Sequence, residues 1–167
     1  MITIRKKLDS FRTDSTVYDV TGEQCKDTLI NLDVYLQNKY QSLIAGDELD
    51  QAWKVLLINN EDAFQSISGD KVALSAFMNI VGKYKMLNMF VLLGNVPNAQ
   101  VVYGAPEIYK IVKEGRNIIF FDNLENMKLV DVSLTIVRHN KKKIETGDAF
   151  YICGNECLKI KTPLAIQ

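Results

Sequence analysis

The sequence predicts an α/β domain in which helices cover both faces of a doubly wound, mostly parallel sheet. Two observations indicate this fold class. Short apolar runs typical of buried strands occur at residues 55–58, 89–93 and 117–121. Longer segments with the three- and four-residue apolar spacing of amphipathic helices lie between them. The length of 167 residues suits a single domain that spans residues 1–167.

Each helix has its own start or stop signal. Residues 14–20 predict a short strand or an extended segment. Thr21-Gly-Glu-Gln24 then forms a capping box that begins a long helix ending near Gly46. Asp70 predicts the N-cap of a second helix, and Pro106 lies in the first turn of a third that Gly115 ends. The expected buried residues are Cys25, Leu29, Leu32, Leu36, Tyr40 and Leu43, then Val72, Phe77, Ile80, Val81 and Tyr84, then Ile108, Ile111 and Val112.

The pattern changes after residue 121. Residues 129–137 predict one further strand, and three lysines at 141–143 predict a solvated basic turn. Residues 149–160 predict a C-terminal β-hairpin whose turn centres on Gly154-Asn155.

Composition excludes several classes of function. Twenty Lys and Arg balance twenty Asp and Glu, so nonspecific nucleic-acid binding is disfavoured. Cys25, Cys153 and Cys157 form no CxxC pair, and His139 lies in a basic segment away from them, so we predict reduced thiols in the cytoplasm and no metal site. The N-terminal residues lack the apolar centre of a signal peptide, and no apolar run reaches the ~20 residues of a membrane span.

The run KVLLINNED at residues 54–62 carries the main functional signal. In α/β domains that hydrolyse phosphate esters, the end of a buried strand usually carries Asp or Glu to organise Mg²⁺ and water. Asn59 and Asn60 occupy that place, and a neutral amide cannot hold Mg²⁺ by charge or take a proton from water. Glu61 and Asp62 would replace the missing acids if the strand were one residue longer. Otherwise the run is a core strand ending in turn-forming Asn and surface acids.

No phosphate-binding loop of the form GxxxxGK[ST] is present in the sequence. Ser68-Gly69-Asp70-Lys71 is the nearest imitation, but a carboxylate there would repel phosphate, so Asp70 is predicted to be an ordinary helix cap. No sequence motif places a nucleophile beside His139. Cys153 and Cys157 are predicted to pack within the hairpin.

Taken in order, these segments resemble the C-terminal ATPase-like domain of the membrane-bound coupling ATPase of type VII secretion. That protein family, EssC/EccC, is a branch of the FtsK/SpoIIIE translocases. The resemblance covers nearly the whole chain. It is carried by the helix from Thr21 to Leu43 and by LLINNEDAF (56–64), FVLLGN (90–95), EIYKIVKEG (107–115) and ETGDAFYICGNECLKIKTPL (145–164).

The resemblance implies a RecA-like P-loop NTPase fold with a degenerate Walker B strand, in which Asn59 and Asn60 replace the acids. It also implies that the Walker A strand, loop and helix should precede residue 1. The chain would then be part of a longer protein, which we favour, or a reduced relative that has lost its nucleotide-binding half. No cofactor is then expected in this chain, and ATP and Mg²⁺ would act in other domains of the parent protein, at the cytoplasmic face of the membrane.

In this family the last domain resembles a docking platform for small secreted helical-hairpin proteins of the WXG type. The expected partners are these substrates and the neighbouring ATPase domains of the same chain. Phe64, Met86, Met89 and Tyr103 are candidates for lining the apolar pocket, with core packing as the alternative for each. An open sheet edge would also permit self-association.

Three functions therefore remain open. The first is a noncatalytic ATPase-like domain that binds secretion substrates and regulates an active neighbour. The second is an ATP-hydrolysing half-domain, completed by an upstream segment, with Glu61 as the catalytic acid. The third is an unrelated small α/β adaptor with no role in secretion.

Overall fold

The computed structural model describes residues 2–4, 18–20, 24–48, 52–59, 61–100, 105–115, 117–141 and 144–162. The chain divides into two compact units, Met1–Val96 and Pro97–Gln167. Each unit has a sheet of its own, parallel in the first and antiparallel in the second.

The sheet of the first unit has four strands. They are β1 (Ile2–Ile4), β2 (Tyr18–Val20), β3 (Lys54–Ile58) and β4 (Met89–Leu93), in the order β2-β1-β3-β4. β3 pairs with β1 on one side and with β4 on the other, so it lies inside the sheet. The predicted strands at 55–58 and 89–93 are confirmed, whereas β1 is too short to give a pattern in the sequence.

Three helices of the first unit contact one another. They are α1 (Cys25–Ile44), α2 (Glu61–Ser68) and α3 (Lys71–Gly82). Leu56 and Ile58 of β3 share one face of the strand and are fully buried in the core, as are Phe64 of α2 and Phe77 of α3. The sequence did not predict α2, because eight residues give little periodicity.

The predicted course of α1 is largely confirmed. Its core side chains are Cys25, Leu29, Leu32 and Leu36, and the helix ends at Ile44, two residues before Gly46. Gly46 has φ of 97°, a left-handed conformation that glycine adopts without strain. Residues 21–23 of the predicted capping box lie outside the described residues.

Asp70 caps α3, as predicted. Its Oδ1 accepts hydrogen bonds from the backbone N–H groups of Val72 (2.9 Å) and Ala73 (3.1 Å), and these bonds lower the pKa of Asp70. Val72 itself is exposed, so its predicted place in the core is wrong. The buried stripe runs through Ala73, Ala76, Phe77 and Ile80, and Val72 is turned about 100° away from Ala73 around the helix axis.

A hydrogen-bonded cluster of Asp33, Asn79 and Tyr84 joins α1 to the end of α3. Tyr84 donates a hydrogen bond to Asp33 Oδ1 at 2.8 Å, and Asn79 Nδ2 donates to Asp33 Oδ2 at 3.0 Å. Burial, together with the hydrogen bond and the charge of Asp33, raises the pKa of Tyr84 to about 12. The phenol therefore stays protonated and remains a hydrogen-bond donor throughout the neutral range.

The second unit contains α4 (Glu107–Glu114), β5 (Asn117–Phe120), α5 (Leu134–His139), β6 (Asp148–Cys153) and β7 (Glu156–Lys161). Its strands pair antiparallel in the order β5-β6-β7. The predicted helix before Gly115 and the C-terminal hairpin are confirmed, and Gly154 in the hairpin turn has φ of 58°.

Two sequence predictions are wrong in this unit. The strand at 117–121 was expected in the parallel sheet, but β5 pairs antiparallel with β6, with Phe120 opposite Phe150. Four residues are too few to distinguish the alternating pattern of such a strand from a continuous apolar run. The strand expected at 129–137 is replaced by α5, whose N-cap Ser133 accepts a hydrogen bond from Ile136 N at 3.3 Å.

The buried side chain of Asp148 links the two strands of the C-terminal hairpin. Its carboxylate is almost fully buried, forms ion pairs with Lys159 (2.7 Å) and Lys161, and accepts a hydrogen bond from Glu145 N at 3.1 Å. The Lys159 and Lys161 ammonium groups, followed by the Glu145 amide, hold the pKa of Asp148 well below its ordinary value of 3.8. Because the folded state prefers the charged form, the carboxylate stabilises the hairpin above that pH.

Asp148→Asn should lower the melting temperature at pH 7, because the buried carboxylate loses its charge and with it the ion pairs to Lys159 and Lys161. The difference in melting temperature from the wild type should shrink as the pH falls below 3.8. The carboxylate of the unfolded chain is then protonated, so the charged form stabilises the folded state less. Thermal unfolding followed by circular dichroism at a series of pH values measures both effects.

Asp131→Asn is the matched control. Asp131 also pairs with a lysine, Lys113 at 3.0 Å, but its side chain is fully in solvent. Such exposed pairs contribute little, so this variant should melt with the wild type at every pH. Equal melting of the Asp148→Asn variant and the wild type at pH 7 would contradict the role assigned to Asp148.

Candidate functional site

The candidate site lies where β3 and β4 end. Carboxyl ends of parallel strands meet at the same edge of a sheet, the usual location of ligand sites in α/β folds. Asn59 follows β3, and Gly94 and Asn95 follow β4. The backbone of the two segments is joined by a hydrogen bond from Gly94 N to Ile58 O at 2.7 Å.

Asn59 is held between the two residues that follow β4. Its Oδ1 accepts a hydrogen bond from Asn95 Nδ2 at 3.0 Å. A Cβ atom added at Gly94 would overlap Asn59 Oδ1 and lie 3.0 Å from its Cγ, so the absence of a side chain at Gly94 makes room for the amide. Asn95 has φ of 52°, a left-handed conformation that Asn tolerates better than most residues.

This arrangement offers hydrogen bonds without charge. A carboxamide accepts through oxygen and donates through nitrogen, but it has no negative charge to hold Mg²⁺ and no basicity to activate water. Among the described residues, no three His, Cys, Asp or Glu side chains form a cluster that would hold a metal ion. The amides of Asn59 and Asn95 therefore offer hydrogen-bond donors and acceptors to a polar partner.

The other members of the Asn-Asn-Glu-Asp run have different positions. Asn60 lies outside the described residues. Glu61 is the first residue of α2, two residues beyond the half-buried Asn59, and Asp62 is exposed on the same helix. β3 ends at Ile58, the boundary expected from the sequence.

The four candidates for an apolar pocket do not share one environment. Phe64 is fully buried in the core, Met89 at the start of β4 is also buried, and Met86 is exposed. Tyr103 lies outside the described residues. Core packing, the alternative considered for each residue, therefore accounts for the positions of Phe64 and Met89.

The remaining reactive side chains are separate from this site. His139 is exposed at the end of α5, and its Nδ1 lies 2.7 Å from Thr135 O. Cys153 and Cys157 lie on opposite faces of the hairpin, because Cys153 is opposite Glu156 whereas Cys157 is opposite Ile152. Burial raises the pKa of Cys25 to about 11 and also raises that of Cys157, so both thiols remain protonated.

Sequence reasoning identified Asn59 but missed Gly94 and Asn95. The signal was available, since FVLLGN ends a predicted strand of the same parallel sheet as LLINN. What the sequence did not contain was the pairing of β3 directly with β4, which brings these two strand ends together.

No profile of a known protein family matches this sequence, and no curated protein matches it. Solved structures that are similar in fold include the following two. The structure of EssC ATPases 2 and 3 from Geobacillus thermodenitrificans has a TM-score of 0.67 and 19% identity, over 97% of this chain and 30% of that chain. The cytoplasmic domain of EssC gives 0.66 and 19%, over 97% of this chain and 32% of that chain.

At this identity the likeness establishes the fold. The chain has the RecA-like α/β fold of the EssC ATPase domains, with a parallel sheet and a C-terminal antiparallel hairpin, so the predicted fold class is confirmed. The resemblance to EssC ATPase domains is likewise confirmed at the level of the fold. The chain spans about a third of the length of these structures.

Gly94→Ala should destabilise the first unit by about 1–3 kcal/mol, because the new methyl group displaces the Asn59 amide and breaks its bond to Asn95. In the double variant Asn59→Ala/Gly94→Ala, part of this cost should disappear, since the clashing atoms are gone. Urea unfolding of the single and double variants measures the coupling.

Gly82→Ala is the control, because a Cβ there meets no atom within 4 Å. It should leave the free energy of unfolding unchanged or slightly raised. Additive effects of the Asn59 and Gly94 substitutions would show that the two residues do not constrain each other.

Proposed function

We propose that this chain is a noncatalytic, ATPase-like domain of a type VII secretion coupling protein that binds or regulates small secreted helical-hairpin proteins of the WXG type. The observation that carries the noncatalytic part is Asn59 at the end of β3. It occupies the place where a hydrolysing relative of this fold carries an acid, and it is fixed there by Asn95 and Gly94.

The chemistry of that position supports the proposal. Phosphoryl transfer depends on Mg²⁺ and on an oriented nucleophile, and both functions require charge or basicity at the strand end. Asn59 supplies neither. The fold likeness to EssC ATPase domains supports the secretion role, and ATP and Mg²⁺ would then act in other domains of the parent protein.

This proposal places the domain at the cytoplasmic face of the cell membrane, carried there by the parent protein and beside its ATPase domains. In the part of the chain that the structure describes, no helix is long and apolar enough for a bilayer span.

The second unit offers an apolar surface that suits an amphipathic helix. On the face of its sheet opposite the core, Ile119 of β5, Tyr151 of β6 and Leu158 of β7 lie side by side in register. Ile119 and Leu158 are exposed, and the Tyr151 hydroxyl is bound to Asn117 Oδ1 at 2.8 Å. An amphipathic helix binds by placing its apolar stripe on such a surface. We assign the substrate tail to this outer face, defined by Ile119, Tyr151 and Leu158.

Calorimetric titration with the C-terminal segment of a WXG-type protein from the same genome should show saturable binding. The heat-capacity change should be negative, because apolar surface is buried. Leu158→Asp should weaken binding at least about tenfold, equivalent to ~1.4 kcal/mol. The control is Leu134→Asp, at an exposed site on α5 of the same unit, and it should bind as the wild type does.

The two parts of this proposal fail differently. No heat from folded wild-type protein would contradict the receptor function and favour the unrelated adaptor. Binding that survives Leu158→Asp unchanged would retain the receptor function but place the tail elsewhere.

The chain should not hydrolyse ATP in the presence of Mg²⁺, and Glu61→Gln should leave this result unchanged. A coupled assay of phosphate release measures both, with a protein that has an intact acidic strand as the positive control. ATP turnover that disappears in Glu61→Gln would instead establish the hydrolysing half-domain, with Glu61 as its catalytic acid.

A further inference from the structure

A local excess of positive charge lies between Asp131 and Glu145. These two acids enclose thirteen residues, VSLTIVRHNKKKI, which contain one arginine, three lysines and no acid. The zero net charge of the whole chain therefore conceals four uncompensated positive charges within one short stretch of the second unit. We call Arg138 and the three lysines at 141–143 the basic segment. It begins in α5 and continues beyond the end of that helix.

α5 lies on the core of the second unit and turns two side chains outward. Ile136 and Val137 pack against the core cluster of this unit. Leu134 and Arg138 are exposed, and because they are four residues apart they lie on the same face of the helix. An apolar side chain and the first cation of the basic segment therefore face solvent together.

Carbonyl groups in the last turn of α5 already have partners. Asn140 donates to two of them through its backbone N–H and to one also through its side-chain amide, and His139 Nδ1 lies 2.7 Å from Thr135 O. The usual structural role of cations at a helix end is to donate hydrogen bonds to these carbonyl groups. Arg138 and Lys141 are therefore not required for that purpose.

The nearest acid in the preceding sequence does not neutralise the basic segment. Asp131 is paired with Lys113 at 3.0 Å. Among the residues that the structure describes, neither Arg138 nor Lys141 forms an ion pair. Burial of unpaired cations against another part of the protein would cost free energy, so such a segment faces water or an anionic partner.

We propose that the basic segment and Leu134 bind an anionic lipid surface, with Leu134 at the level of the headgroups and the cations beside their phosphate and carboxylate groups. This rests on the proposed function, which places the domain at the cytoplasmic face of the membrane. Anionic lipids give that leaflet a negative surface potential that attracts clusters of Lys and Arg. An exposed apolar side chain adds hydrophobic contact at the headgroup boundary.

The composition of the basic segment favours a lipid surface over a structured acidic partner. Three of its four cations are lysines, which are compact charges on flexible stems. Recognition of one particular carboxylate or phosphate group instead favours the planar fork of arginine. Attraction to a surface of many anionic headgroups depends on the density of charge, and three consecutive lysines supply that density.

Sedimentation of the 167-residue chain with lipid vesicles tests this contact. Vesicles of phosphatidylcholine that contain about one third phosphatidylserine should carry the chain down, whereas vesicles of phosphatidylcholine alone should not. Lys141→Gln/Lys142→Gln/Lys143→Gln should lower the partition coefficient about a hundredfold, because each lysine near an anionic surface contributes roughly fivefold. Leu134→Ala should lower it severalfold, since less apolar surface reaches the headgroups.

Lys110→Gln/Lys113→Gln/Lys128→Gln is the matched control. It removes the same number of charges from the same unit and leaves the basic segment intact. This variant should sediment with the anionic vesicles nearly as the wild type does, while circular dichroism shows that both triple variants are folded. Equal loss of binding in both triple variants would overturn the proposal, because the attraction would then come from the total charge. A wild type that stays in solution with the anionic vesicles would overturn it as well.

Lipid binding and substrate binding are measured separately. The titration with the WXG-type segment contains no lipid, and the vesicle experiment contains no peptide. Vesicle binding without peptide binding would contradict the receptor function and support the lipid contact. Peptide binding without vesicle binding would support the receptor function and overturn the lipid contact.

Discussion

The burial of β3 is the constraint on which the first unit depends. β3 is paired on both sides, and Leu56 and Ile58 are fully buried on one of its faces, so the strand cannot slide without exposing them. Its pairing with β4 fixes the two strand ends beside each other. Asn59 therefore meets Gly94 and Asn95 as a consequence of core packing rather than of a flexible loop.

The end of β3 has the position of a ligand site in this fold but carries an uncharged side chain, Asn59. The sheet still presents polar groups at its carboxyl edge, as α/β folds do, and there the amide of Asn95 donates a hydrogen bond to that of Asn59. We propose that binding takes place instead at the outer face of the second unit, where Ile119 and Leu158 are exposed.

Long, strongly patterned elements could be predicted from the sequence. α1, β3, α3 with its cap Asp70, and the β6–β7 hairpin all have several turns, continuous apolar residues or a defined turn signal. β5 and α5 could not, because four to six residues rich in Ile and Val fit a strand of either direction or a short capped helix. Asn59 was found through its neighbours in the run KVLLINNED, whereas Gly94 and Asn95 required knowledge of which strands are adjacent.

The proposal that the end of β3 binds no metal–nucleotide complex is tested most directly by nuclear magnetic resonance of the ¹⁵N-labelled chain during titration with Mg²⁺ and ATP. We expect the backbone amide signals of Gly94 and Asn95 to remain in place, because Asn59 offers no charge to hold the metal. An Asn59→Asp variant provides the comparison with an acid at the same position. Saturable shifts centred on Gly94 and Asn95 in the wild type would contradict the noncatalytic role, since they would place a metal–nucleotide complex at the end of β3.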